Sequence, residues 1–510
     1  MTFLSPLYAV FLAGTIVLYW GIRSRPWRLW LLLVASLMFY ASLQLQSLPL
    51  LIFSTIVNFY LGIAIGTTTD PRPHNKNWEL SNEEWTIAQQ KWQQKRRFIL
   101  AGGIIFNVAI LLGFKYGEFF FPSVSAWLPP SQAQFYTTWL SPYWVVPLGV
   151  SFFSFECIAY LVDVYRGAPP SRQLLQFASY KFFFAKLIAG PITRFHYWIE
   201  KFDDRPPLAP DRVTEGLWLI AIGAIKKGLV ADNLGIFVDL CFGNLQRAGS
   251  PDLWLATIAY GFQLYLDFSG YVDMARGTAK LLGLSLPPNF DFPYLSPSLA
   301  DFWRRWHMTL GDWLRNYLYF PLGGSRQGLK RTCTNLFIVM VVAGIWHGGA
   351  SDRHDPAGYL IWGILHGLGL VLHRLTESAS RDNSLLEAFW KTIPGIGLSW
   401  LLTQTLVFGS WIFFRLPSLT DSMWVVTHLW GYPGDIQFVR EIYVETLQIG
   451  RFQIAIALGI LAALMAIAYL FDRGFKVQLN WPVKVVLIPV CFYVVWLLAP
   501  ETLPFIYFDF

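Results

Sequence analysis

The chain has 510 residues, of which 55% are hydrophobic, 17% aromatic and only 14% charged, against roughly 25% charged in soluble domains. That balance excludes an ordinary water-soluble globule. The formal net charge of +7 accompanies no recognisable nucleic-acid module, so a nucleic-acid partner is set aside. The basic excess reads as topological, and it would also attract anionic headgroups or the phosphates of a nucleotide-bearing donor.

In chain order, apolar runs at 4–19, 27–42 and 48–65 approach the roughly 20 residues that cross a bilayer as a helix. No basic residue precedes the first run, and no small-residue cleavage site is evident after Ala13, so a retained span is expected. Basic residues flanking membrane segments stay on the cytoplasmic side. Arg23, Arg25 and Arg28, then Arg72, Lys76, Lys91, Lys95, Arg96 and Arg97, then Arg166 and Arg172 occupy the first, third and fifth connections, which are predicted to be cytoplasmic. The connections at 43–47 and 116–142 lack Lys and Arg and are predicted to face outward, with the N-terminus. Cys157, Cys241, Cys333 and Cys491 lie far apart in or near apolar stretches, without metal-ligand spacing.

After five spans the pattern loosens. KFFFAKLIAGPI, at 181–192, is too short to span and ends in Gly190 and Pro191, which suits a re-entrant hairpin buried in protein or lining a cavity. Further apolar runs at 217–229, 253–266, 336–346, 359–372, 398–414, 454–470 and 483–498 bring the expectation to about eleven spans. The predicted fold class is all-α and polytopic, a single membrane domain over 1–510, with N-terminal spans at 1–166, a core at 167–415 and C-terminal spans at 416–510.

Two histidines stand out in the later half. From Ser296, with Pro297 as a first helical residue, the spacing predicts one amphipathic helix. It places Trp303, Trp306, Leu310, Trp313, Leu314 and Tyr317 on one face and Arg304, Arg305, Asp312 and Arg315 on another. His307 lies at the edge of the aromatic face. An interfacial helix with a Trp belt is the plain alternative, and Arg304 and Arg305 would then meet lipid headgroups. The apolar run 336–346 delivers His347 into Gly348, Gly349 and a polar loop at 351–355. An ionisable side chain at membrane depth is a functional candidate, with a structural histidine bound to a backbone carbonyl as the alternative. Apolar burial keeps a histidine neutral and able to accept a proton, and a positioned base accelerates such transfers on the order of 10²- to 10⁴-fold. His366 and His373 are read as structural, with His373 near a helix end. Asp267, Ser269, Asp273 and Arg276 interrupt FQLYLDFSGYVDMAR and require partners or water; a hydrogen-bonded scaffold is expected. The chain has no HExxH, GxxxxGK or GxSxG motif.

These residues belong to longer blocks: PLGVSFFSFECIAYLVDVYRG from Pro147, LIAGPITR from Leu187, YGFQLYLDFSGYVDMARG from Tyr260, and NFDFPYLSPSLADFWRRWHMTLGDWLRNYLYFPLGG from Asn289. GIWHGG from Gly344, WGILHG from Trp362 and SWIFFR from Ser410 follow. In this order they resemble the membrane-bound O-acyltransferase family, in the branch containing alginate O-acetyltransferase and the D-alanyl transferase of teichoic acids. A departure occurs at Ala185 and Lys186, where close relatives commonly have Pro and Gln.

The resemblance implies a helical ring with re-entrant and interfacial helices around a central funnel in a bacterial inner membrane. It implies His347 as the principal catalytic histidine and His307 as its partner, and Trp306, Trp346, Asn316 and Asp273 are candidate substrate-binding residues. It further implies an acyl group, most simply acetyl, taken from a cytoplasmic thioester such as acetyl-CoA and moved toward an extracytoplasmic polysaccharide, often with a separate extracytoplasmic acyltransferase. No bound cofactor and no metal are expected. Alternatives are a D-alanyl transferase fed by a carrier-protein thioester, a transporter or flippase of acylated intermediates, and an inactive scaffold.

Overall fold

A computed structural model describes residues 1–67, 82–125, 127, 129, 145–204, 207–349, 355–477, 479–500 and 505. Arg72, Lys76, most of the 116–142 connection beyond Ser125, and nearly all of the 351–355 loop therefore lie outside the described residues. The described residues are helical, with no strand among them. Among the described residues, seven stretches are long and apolar enough to cross a membrane: Arg25–Gly66, Gln90–Gly117, Gly328–His347, Pro356–Arg381, Ile393–Arg415, Arg451–Gly474 and Trp481–Leu498. The first is two helices, Arg25–Gln44 and Leu48–Thr67, because Gln44 leaves helical geometry at φ −154° and a short 3₁₀ turn follows. Pro6–Gly21 is apolar but shorter, capped by Ser5, whose hydroxyl accepts from the Tyr8 N–H. The run at 253–266 falls within Ser250–Leu281, a helix that also carries Asp252, Asp267, Asp273, Arg276 and Lys280.

By its contacts the chain divides into two compact units, one of Met1–Ala209 with Thr278–Pro287 and one of Pro210–Gly277 with Pro288–Phe510. In the first unit, the re-entrant segment follows helix Leu174–Phe182 as tight turns through Gly190, and every residue from Phe177 to Pro191 is buried. Buried irregular backbone needs internal partners, and side chains supply several. Ser36 Oγ accepts from the Phe184 N–H, and Glu156 accepts from the Thr193 N–H and hydroxyl. Lys186, the departure noted in the sequence, donates to both Glu156 oxygens at 2.5 and 2.6 Å, and Lys181 reaches the same carboxylate at 3.3 Å. Two cations share one carboxylate here, and ring faces complete their surroundings: Phe153 lies 4.0 Å from Lys181 Nζ and Tyr180 4.0 Å from Lys186 Nζ.

Arg96 shows a second use of buried charge. The sequence places it among loop cations, but it sits within helix Asn82–Ser125 and donates to the carbonyls of Ile65, Val164 and Tyr165. It thereby satisfies the C-terminal ends of two helices.

The second unit holds the residues of the candidate site. Here Lys227 bridges Asp232 and Asp267 at 2.6 Å each, and Lys226 contacts Asp273 at 2.7 Å. Asp267 and Asp273 of Ser250–Leu281 thus find partners on the π-helical segment Ile225–Ala231, and Gly223 and Gly270 allow the two backbones to touch. Antiparallel helices Gly328–His347 and Pro356–Arg381 pack most closely at Gly344 and Gly363. A Cβ on Gly344 would lie 2.6 Å from the Tyr359 carbonyl oxygen, and one on Gly363 would lie 2.6 Å from that of Met340.

Candidate active site

His307 does not sit inside a helix. The predicted continuous helix from Ser296 is replaced by two short ones, Leu299–Arg305 and Met308–Leu314, and Ser298, not Ser296, caps the first by accepting from the Asp301 N–H. Between them Trp306 is extended and His307 adopts left-handed backbone, φ 43° and ψ 53°. The aromatic residues Trp303 to Tyr317 consequently do not share one face. Asn289 holds the break: its carbonyl accepts from the Met308 N–H at 2.9 Å, and its Oδ1 accepts from the Thr309 N–H and hydroxyl at 3.1 and 2.6 Å. His307 is 1% exposed and packs edge-on to Phe268, with centroids 4.8 Å apart. Burial pushes its pKa down to about 3, so the ring is neutral near pH 7.

His347 closes helix Gly328–His347, and the Gly348 N–H bonds back to the Gly344 carbonyl. Trp346, Trp362 and Phe414 surround its ring at centroid distances of 4.3, 5.3 and 5.0 Å. The Gly344–Gly363 approach fixes this arrangement, since His347 lies one turn after the first glycine and Trp362 immediately before the second.

Aromatic rings join the two histidine neighbourhoods. Trp306 lies 5.2 Å from Trp411, Trp411 stacks on Trp362 at 6.0 Å, and Trp362 meets His347. Trp306, His307, Trp346 and His347 therefore border one aromatic cluster within the second unit. Asn316 and Asp273 are differently engaged. Asn316 lies in the π-helical turn Arg315–Tyr319 and donates to the Asp312 carbonyl. Asp273 is ion-paired with Lys226 and Arg276.

Sequence reasoning set aside one member of the cluster. His366 is fully buried and touches Trp303 at 5.2 Å, Trp362 at 5.0 Å and Trp411 at 6.2 Å. Its Nε2 lies 2.8 Å from Ser410 Oγ, which donates its proton to the Val407 carbonyl. The signal was its position four residues after Trp362, one helical turn along the same face. His373 is not at a helix end, because Pro356–Arg381 continues two further turns past it.

A buried neutral imidazole and a second imidazole at a glycine-rich helix end thus lie around one cluster of tryptophans, residue types able to carry a proton transfer. The membrane-bound O-acyltransferase family profile matches residues 104–412. A probable alginate O-acetylase of Pseudomonas aeruginosa is 34% identical over 421 residues, 82% of this chain and 73% of that protein. The chain belongs to the membrane-bound O-acyltransferase family. A peptidoglycan O-acetyltransferase of Helicobacter pylori is likewise 34% identical over 435 residues, covering 80% of this chain and 74% of its own length. The teichoic acid D-alanyltransferase of Streptococcus thermophilus is more distant, 29% identical over 52% of this chain and 68% of that protein. Membership makes the chain an O-acyltransferase, and both blocks WRRWH and GIWHGG fall within the matched region.

Proposed function

We propose that the chain moves an acyl group, most simply acetyl, from a cytoplasmic thioester across the bacterial inner membrane for O-acylation of an extracytoplasmic polysaccharide. The observation that carries this reading is the similarity, over four-fifths of the chain, to relatives named for O-acetylation of alginate and of peptidoglycan. The donor is acetyl-CoA or another thioester arriving as substrate, and a separate extracytoplasmic acyltransferase completes polymer modification. The reading calls for one membrane domain of about eleven spans around a funnel, with the N-terminus outside.

In this mechanism His347 takes the proton from the attacking hydroxyl, and neutral His307 positions the acceptor through Trp306 and its own ring. Asn316 and Asp273 bind substrate or brace the chamber. D-alanyl transfer is the lesser alternative, because that relative aligns with about half of the chain. A transporter of acylated intermediates would use the same buried polar groups without forming a bond.

The test is the acyl-ester content of the surface polymer, by mass spectrometry, in a deletion strain complemented at matched protein levels. Wild type is expected to restore the ester and His347→Ala to leave it absent. Full restoration by His347→Ala would sink the assignment and favour transport or scaffolding.

A further inference from the structure

Attack of a hydroxyl on a thioester places negative charge on the acyl carbonyl oxygen, and donors already aimed at that oxygen usually make the largest catalytic contribution. His347, taking up the hydroxyl proton, is committed elsewhere. The indole of Trp362 meets the His347 ring edge-on, with centroids 5.3 Å apart at 88°. Trp362 is 1% exposed, and its Nε1–H has no hydrogen-bond partner among the described residues. A buried donor left unsatisfied is destabilising, and buried indole N–H groups ordinarily find an acceptor. The Nε1–H groups of Trp303 and Trp411, whose rings lie 5.7 and 6.0 Å from Trp362, are buried and unpartnered as well. This wall offers donors and few acceptors, which suits an oxygen that gains negative charge.

The His366–Ser410 pair explains how the indole is held. Ser410 has one proton and gives it to the Val407 carbonyl, so His366 Nε2 carries hydrogen and donates to Ser410 Oγ. That bond fixes the imidazole, and the imidazole packs on Trp362 at 5.0 Å.

We propose that Trp362 is a catalytic residue whose Nε1–H donates to the thioester carbonyl oxygen as it becomes an oxyanion, with His366 and Ser410 as positioning residues. The inference rests on the acyl-transfer reading. The acceptor oxygen bonds to the acyl carbon, its proton passes to His347, and the carbonyl electron pair moves onto the oxygen bound by Trp362. On collapse the C–S bond breaks and His347 returns the proton to the departing thiolate, leaving ester and free thiol.

Membrane vesicles from the deletion strain carrying the full chain are supplied with radiolabelled acetyl-CoA over a concentration range. The initial rate of label entering surface polymer is read per unit of folded protein. The deciding substitution is Trp362 to benzothienylalanine, which replaces the indole N–H by sulfur in a ring of nearly the same shape. The same replacement at Trp198, a buried indole of the first unit whose Nε1–H is likewise without a partner among the described residues, is the control. A loss in kcat on the order of 10²- to 10³-fold is expected at 362, with KM near wild type. Activity within about threefold of wild type at 362, an equal loss at 198, or a change confined to KM would each overturn the assignment. His347→Ala separates the two levels. Label retained by it would remove the acyl-transfer reading itself, whereas label lost by it but kept by the 362 variant would remove only the role of Trp362.

Discussion

His307 combines two costs, one in its backbone and one in its ring. Left-handed backbone costs a non-glycine residue about 1–2 kcal/mol, and its ring is held in an apolar site where the charged form is disfavoured. Three hydrogen bonds to Asn289 offset the first cost. None of this is legible in WRRWHMTLGDW, where the aromatic spacing fits a continuous helix. The break is imposed by Asn289, which the sequence separates from His307 by more than a dozen residues, and such pairing appears only in three dimensions. The depressed pKa has a measurable consequence. In the unfolded chain His307 protonates near its ordinary value of 6.5, but in the fold only near 3. Its contribution to stability is therefore present above about pH 6.5 and lost as pH falls toward 3, by at most about 1.4 kcal/mol per unit. Melting of the purified protein at pH 7.5, 6 and 5 is expected to fall more steeply for wild type than for His307→Gln. Parallel curves would mean that the ring is solvated or charged in the fold.

Most helices were readable from hydropathy, since the runs at 27–42, 48–65, 336–346 and 398–414 each lie within a helix of the structure. What the runs hide is how helices approach one another. Gly344 and Gly363 look alike in sequence to Gly102, but a methyl on Gly344 meets the Tyr359 carbonyl at 2.6 Å while one on Gly102 meets nothing within 4 Å. Gly344→Ala must therefore push apart the helices that carry His347 and Trp362. A displacement near 1 Å is enough to cost about 10²-fold in rate. Gly344→Ala is expected to lower surface ester formation at least tenfold (roughly) at matched protein level, with Gly102→Ala unchanged. Equal activity of the two variants would show that His347 tolerates a looser helix pair. One charged residue is misplaced by the sequence for a related reason: Arg96, read among the loop cations, is buried against carbonyls supplied by other helices, while Lys186 and Lys227 are likewise buried against carboxylates of other segments.

At the scale of the whole molecule, the bilayer explains features that water would not permit. Only 11% of the apolar window in Arg451–Gly474 and 6% of that in Trp481–Leu498 is buried within the protein, leaving Leu464, Val486 and Trp496 more than half exposed. Lipid covers such surfaces at no hydrophobic cost. Basic residues then set orientation. In the second unit, the antiparallel pair Gly328–His347 and Pro356–Arg381 brings Lys330 and Arg331 to the same end as Arg374 and Arg381. At about 1.5 Å per residue, His347 lies some 25 Å along the axis from Lys330, toward the opposite face. In the first unit, Arg23, Arg25 and Arg28 flank Ser24, whereas exposed Leu45 lies in a turn without cations. With the four native cysteines replaced, a membrane-impermeant maleimide is expected to label Leu45→Cys in intact spheroplasts, and Ser24→Cys and Lys330→Cys only after permeabilisation. That pattern would place the basic ends on the side of the proposed thioester donor and His347 toward the proposed acceptor. The reverse pattern would invert the direction of transfer and require the donor to arrive from outside.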